Sequence, residues 1–336
     1  MTTWTSGYVA DIGYTYGYYA ELNPLRTQLS FLNAGLEHPK IQNACELGFG
    51  QGVSVNLHAA GNTSTAWYGT DFNPSQAAFA QALAKASGAQ AHLFDDAFAD
   101  FCQRDDLPEF DYIGLHGIWS WISDDNRKII VDFIRRKLAV GGVLYISYNT
   151  LPGWSAAAPL RHLMTQYADS MTGSGQGIVN RIESSLGFTQ RLIDTQPLYT
   201  LANPQVADRF NKLKEQNRNY LAHEYFNRDW HPMYFADMAN WLAPAKLSFA
   251  SSSHFLDHVE AINLSPAQQE LLASIADPDF KQTTRDYLVN QQFRKDYWVK
   301  GPVKLDPLRR AELIRAERVI LVTNRADVPL KVQGLR

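Results

Sequence analysis

The stretch Glu46-Leu-Gly-Phe-Gly-Gln-Gly52, followed by Ala66-Trp-Tyr-Gly-Thr-Asp71, reads as an apolar strand end, a glycine turn, a helix start and a second strand closed by an acid. That order is half of a Rossmann-type nucleoside site. Glycines in the turn let the backbone approach a ligand that any side chain would hold off. Asp71 lies 21 residues past Gly50, where a carboxylate accepts hydrogen bonds from both hydroxyls of a ribose.

The dinucleotide fingerprint needs a third small residue, and Val53 stands at that position. Close helix–strand packing over a pyrophosphate is therefore not specified, and a nicotinamide dehydrogenase is disfavoured. The glycines run Gly48, Gly50, Gly52, with Glu46 two residues ahead of the first. A carboxylate there repels a pyrophosphate but suits a ligand carrying an ammonium and a sulfonium. The expected cofactor is S-adenosyl-L-methionine. A plain βα turn without a ligand is the simpler alternative.

Composition excludes other classes. The chain has 336 residues, a net charge of −3 and only two cysteines, Cys45 and Cys102. No global basic field points to nucleic acid, and two cysteines make no disulfide scaffold. Cys45, within an apolar strand, reads as core. The N-terminus lacks a basic segment followed by an apolar one, and no apolar run reaches spanning length, so a cytoplasmic setting without membrane insertion is expected.

Residues 40–150 alternate strand and helix, predicting a Rossmann-like, doubly wound, mostly parallel α/β sheet. Strands are expected at about 41–47, 65–71, 91–95, 110–115 and 143–148. Asn73 and Pro74 start a helix through Ser87, and a helix over about 124–139 stops at Gly141-Gly142. Residues 1–39 form a tyrosine-rich lid segment. Residues 151–300 read as an appended, mainly helical region, with a stripe of Val206, Phe210, Leu213, Tyr220 and Leu221 as its core. Short β-like runs at 246–251 and 293–300 extend the sheet, and Arg318–Thr323 is a further strand candidate. The chain stops soon after it, so 301–336 reads as the start of a region that continues.

Ligands of open parallel sheets bind beyond the carboxyl ends of the strands. Glu46 and the glycines close the first strand, Asp71 and Phe72 the second, and Asp96, Ala97 and Phe98 follow the third. Asp96 with the Ala97 backbone is expected to read adenine, or Asp96 simply caps a helix. His116 follows the fourth strand as a base or as a plain hydrogen-bonding residue, and Tyr148-Asn149 follow the fifth. Tyr14, Tyr16, Tyr18 and Tyr19 offer π faces to a cation and hydroxyls for orientation, or pack as a cover. Of these, Tyr14, Tyr16, Tyr18 and His116 are the candidate catalytic residues. Further aromatic and polar clusters stand at 149–154 and 222–231. His254 and His258 have ligand-like spacing, but no third ligand accompanies them and no metal is expected.

These motifs resemble the class I methyltransferases that carry a methyltransferase regulatory domain. The matching pieces are Tyr14-Thr-Tyr-Gly-Tyr-Tyr19, the Glu46–Gly52 turn, Asp111–Trp121, Tyr148-Asn-Thr-Leu-Pro-Gly-Trp154, His223-Glu-Tyr-Phe226 and Phe293–Gly301. Rickettsial lysine methyltransferases acting on outer-membrane proteins are similar, which implies a protein lysine as one acceptor. The resemblance also implies that residues from about 215 to 300 form the regulatory or acceptor-side region. A small-molecule or glycan O- or N-methyltransferase, and a non-catalytic cofactor-binding module, are the rival expectations.

Overall fold

The computed structural model describes residues 13–173, 175–321 and 323–331. Seven strands make one sheet: β1 (Asn43–Leu47), β2 (Ala66–Thr70), β3 (Ala91–Phe94), β4 (Phe110–Leu115), β5 (Leu138–Asn149), β6 (Leu247–Ser252) and β7 (Phe293–Lys300). Their spatial order is β3-β2-β1-β4-β5-β7-β6. The first five are parallel, and β7 runs antiparallel to both β5 and β6. The order reverses at β1, so the ends of β1 and β4 open a crevice at the switch point.

Strand periodicity sorts the core. Ala44, Tyr112, Tyr145 and Tyr297 face the helices Leu25–Ala34, Val53–Gly61 and Pro74–Ser87 on one side. Their neighbours Cys45, Ile113, Ile146 and Trp298 face the helices Asp124–Lys137 and Phe235–Leu242 on the other. Both faces being covered explains why β4 and β5 read as continuous apolar runs. Cys45 and Cys102 are buried free thiols.

The helical region packs a separate cluster in which Val206, Phe210, Leu213 and Leu221 meet Leu160, Met164, Ile182 and Leu186. Tyr220 does not join that core and is partly exposed instead. The helix expected to reach residue 139 ends at Lys137, because Leu138 is already extended and pairs with Phe110. Gly141-Gly142 then lie where the register shifts between Phe110 and Tyr112, and are no helix cap. The strand expected at Arg318–Thr323 does not form over 318–321. Val319 and Ile320 find no strand edge to pair with and stay exposed, while Val322 lies outside the described residues.

Candidate functional site

The ends of β1–β4 surround a cavity of about 210 Å³ lined by Glu46, Gly48, Gly50, Asp71, Asp96 and His116, among others. Its floor is the glycine turn. The Gly48 and Phe49 amides donate to the Thr70 carbonyl at 2.8 and 3.4 Å, which ties the turn to the end of β2. Gly48 has φ +75°, and a Cβ there would stand 2.4 Å from Ile118 Cδ1. Gly52 also has positive φ, but it does not line the cavity. A Cβ on Gly52 would meet Ala80 Cβ at 2.4 Å, so this glycine serves contact between the Val53–Gly61 and Pro74–Ser87 helices.

Asp71 is fixed by the turn it faces. The Gly50 amide donates to its Oδ2 at 2.8 Å and the Asn73 amide to its Oδ1 at 3.0 Å. Asn73 in turn caps the following helix, its side chain accepting from the Ser75 amide, with Pro74 at the first helical position. Burial nevertheless pushes the Asp71 carboxyl up to about 6. Glu46 is more extreme: burial first, then the charge of Asp71, push its carboxyl up to about 8. Its Oε2 is buried without a hydrogen-bond partner. Two desolvated carboxyls lining one cavity, one of them with an orphaned oxygen, can receive a cationic ligand.

The opposite wall carries Asp96, Ala97, Phe98, Ile118 and Trp121. The Asp96 Oδ2 is held by Arg104 Nη1 at 3.0 Å, so this acid is anchored by a cation as well as presented to the cavity. Its backbone carbonyl accepts from the Thr70 hydroxyl. Ala97 stands at the N-cap of the short Phe98–Phe101 helix. Phe72 lines the cavity beside Asp71. The Trp121 indole N–H is buried without a partner, an orphaned donor on this wall. The orphaned donor and acceptor, the glycine floor and the acid pair fit an adenosyl group with a cationic amino-acid tail.

The tyrosines divide. Tyr14 and Tyr19 line the cavity, whereas Tyr16 and Tyr18 are 68% and 54% exposed. The Val53–Gly61 helix sets this orientation: Ser54 Oγ accepts from the Tyr19 amide at 2.8 Å, and the His58 ring meets the Tyr19 carbonyl at 3.0 Å. Tyr18 is turned outward over His58 and Tyr16 over Phe79. Gly17 leaves room for the Tyr19 ring, whose hydroxyl would sit 2.7 Å from a Cβ there. The expectation that Tyr16 and Tyr18 act at the reacting centre is therefore corrected. Y16F and Y18F are expected to leave methyl-transfer rates within about twofold of the parent, measured with a radiolabelled donor.

His116 lines the cavity with its ring stacked on Tyr19 at 3.9 Å and its Nδ1 2.8 Å from the Tyr145 hydroxyl. Burial, helped by Lys295, lowers it to about 4, so it is neutral near pH 7. Tyr148 and Asn149 are not at the cavity. The Tyr148 hydroxyl donates to buried Asp296, and Asn149 Oδ1 accepts from the Trp154 indole. His254 and His258 are engaged separately, with Asp257 and with the Ser252 carbonyl. Ile118, Trp121 and Asp229, which the sequence offered only within longer stretches, and Asn126, which it did not offer, also line the cavity. Strand-end logic reaches only the first residues after a strand, and these arrive from the following loop, a helix and a remote segment.

The seven-stranded order with an antiparallel β7 matches a solved fold. PKMT2 from Rickettsia typhi in complex with AdoHcy superposes with a TM-score of 0.71 at 21% identity, over 85% of this chain and 54% of that one. The fold is that of a class I methyltransferase. Residues 217–300 match the family model described as a predicted methyltransferase regulatory domain. In this methyltransferase fold they supply β6, β7 and the Arg218–Tyr225 helix. An uncharacterized protein of Synechocystis is 45% identical over 98% of this chain and 65% of its own length. One of Rickettsia prowazekii is 25% identical over 86% of this chain and 52% of its own length. The chain thus spans between half and two thirds of the length of these curated relatives.

Proposed function

We propose that this chain is an S-adenosylmethionine-dependent methyltransferase whose acceptor is a protein lysine amine. The observation that carries the reading is the pair of buried carboxyls, Glu46 and Asp71, on a glycine turn at the sheet's switch point. AdoHcy, bound by the R. typhi protein of the same fold, is the demethylated product of that donor. Residues 40–150 are the donor-binding core, the described part of 1–39 its cover, 151–300 the helical region, and residues from about 215 to 300 its regulatory or acceptor-side part, in a cytoplasmic setting. No helix among the described residues is long and apolar enough to cross a membrane.

When bound, the donor supplies a methyl carbon on a sulfonium. Glu46 would hold the ammonium of its methionine end and Asp71 the ribose hydroxyls, each Asp71 oxygen keeping its one amide donor and a free lone pair. Asp96, Ala97 and the Trp121 N–H would address adenine. Tyr14 and Tyr19 close the cavity over the turn and exclude water from an in-line displacement. An incoming lysine must lose its proton first, because its free pKa is about 10.4. With a deuterated donor and a lysate as acceptor source, mass spectrometry should find the label on lysine side chains. Label only on small molecules or glycans would support the rival acceptor class, and no label with intact AdoHcy binding would support a non-catalytic module.

Neutral His116 contributes shape and hydrogen bonding, not charge. H116F is expected to lower the transfer rate by about tenfold and to leave its pH profile between 5.5 and 8 unchanged in form, because the imidazole does not titrate there.

A further inference from the structure

Side chains alternate along a strand, so Phe293, Lys295 and Tyr297 share one face of β7 while Arg294, Asp296 and Trp298 take the other. On the second face Arg294 donates to Asp286 at 2.5 Å and to Asp296 at 2.7 Å, a closed network of its own. The first face meets the cover of the donor cavity. The Lys295 ammonium donates to Glu21 Oε1 at 2.6 Å, and the Tyr297 hydroxyl donates to the Glu21 carbonyl at 3.0 Å. The Phe293 ring meets the His116 ring edge-on, their centroids 6.4 Å apart. Opposite Lys295 in the sheet stands Ser147, whose Oγ accepts from the Gly117 amide at 2.8 Å, next to His116.

Glu21 lies in the single turn Ala20–Leu22, which begins directly after Tyr19, and the Leu22 amide returns to the Tyr19 carbonyl at 3.1 Å. The Tyr19 ring stacks on His116 at 3.9 Å, and both line the donor cavity, whereas Phe293, Lys295 and Tyr297 do not. Resting on the methyltransferase reading, we infer that Lys295 is a positioning residue of the donor site: through Glu21 it latches the Tyr19 turn to β7 and so holds the Tyr19–His116 wall in its binding shape. The side chains of the pair are 30% and 21% exposed, so water screens it less than it would an ion pair on the open surface. Burial pulls the Glu21 carboxyl up, but the contacts from Lys295 and from its own backbone outweigh that pull and leave it below the ordinary 4.5. The carboxylate is thus ionised, as the latch requires. A cavity whose wall is in place only part of the time binds its ligand more weakly in proportion. Three alternate residues of the 217–300 segment thereby act on the donor cavity from behind its wall.

The test uses the full chain, E21M, K295M and the double variant. Leu22 is fully buried, and its Cδ2 stands 2.7 Å from where a Cβ on Gly114 would lie, so the turn stays docked when the ion pair is lost. The first readout is NMR of the ligand-free protein with labelled histidine rings, His116 being assigned with H116F. The Tyr19 ring displaces the His116 ring resonances, and Y19L marks their position without it. K295M and E21M should each move them toward the Y19L position, which a pair that only stabilises the fold would not do. The second readout is calorimetry with AdoHcy. Each single variant should bind about three- to tenfold more weakly, and the double variant no worse than the weaker single. Unmoved His116 resonances in K295M, parent-like AdoHcy affinity, or additive losses in the double variant overturn the latch while AdoHcy binding to the parent stands. Failure of the parent to bind AdoHcy at all overturns the underlying reading instead.

Discussion

Replacing Glu46 with glutamine should weaken S-adenosylmethionine binding by about 10- to 100-fold, corresponding to the roughly 1.5–3 kcal/mol of a hydrogen bond to a charged group. Glutamine keeps the shape and one acceptor oxygen, so the loss isolates the charge. The same change reverses a pH effect on the free protein. The Glu46 carboxyl, at about 8 in the fold, keeps its proton to higher pH than the ordinary 4.5 of an exposed one. The stability associated with that proton is therefore full below pH 4.5 and is lost as pH rises through about 8. Asp71 adds a smaller loss between the ordinary 3.8 and about 6. E46Q cannot ionise, so the ligand-free variant should resist heat better than the parent at pH 8 and match it near pH 4.5. Thermal denaturation across that range measures the crossover, and a parent more stable at pH 8 than E46Q would contradict the burial argument.

Gly52→Ala should cost about 3 kcal/mol of stability. Two terms add: a left-handed backbone for a residue with a Cβ costs about 1–2 kcal/mol, and a methyl forced against Ala80 costs a further 1–3. Neither side of that contact is a flexible side-chain end, since Ala80 Cβ and backbone Cα stand 2.4 and 3.3 Å from the new atom. The helices must part, and melting should fall by roughly 5–10 °C. Gly48→Ala differs in kind. Its new methyl meets the end of Ile118, a side chain able to swing, and does so at the cavity wall. G48A should therefore lose less stability than G52A and proportionally more donor affinity. Calorimetry with AdoHcy beside thermal melts of both variants separates the two roles, and equal stability losses would refute the distinction.

Glycine spacing made the turn legible in the sequence but not the division of labour within it. Positive φ is needed at both Gly48 and Gly52, yet which one faces a ligand depends on where the Pro74–Ser87 helix passes. The parallel strands were legible because residues buried on both faces form unbroken apolar runs. The insertion of β7 between β5 and β6 was not, since strand order is set by pairing among segments more than a hundred residues apart. Arg318–Thr323 has strand composition without a partner edge, and composition alone makes no ladder. Tyr16 and Tyr18 have the same chemistry as Tyr14 and Tyr19. Contacts of Ser54 and His58 with the Tyr19 backbone, remote in sequence, help to set which rings turn inward. Asp96 was found by its place after β3, but its partner Arg104, eight residues on, gives no local signal. Asp229 reaches the cavity from a segment whose place in space follows from the fold of the whole helical region.

Titration calorimetry of the full chain with S-adenosylmethionine at pH 7, in two buffers of different ionisation enthalpy, reads the acid pair directly. A cation seated between Glu46 and Asp71 must drive off the proton that burial keeps on Glu46. The account predicts saturable binding at one site with release of close to one proton, nearly abolished in E46Q. Binding without proton release, or no binding, would contradict a donor cavity built on two buried carboxyls.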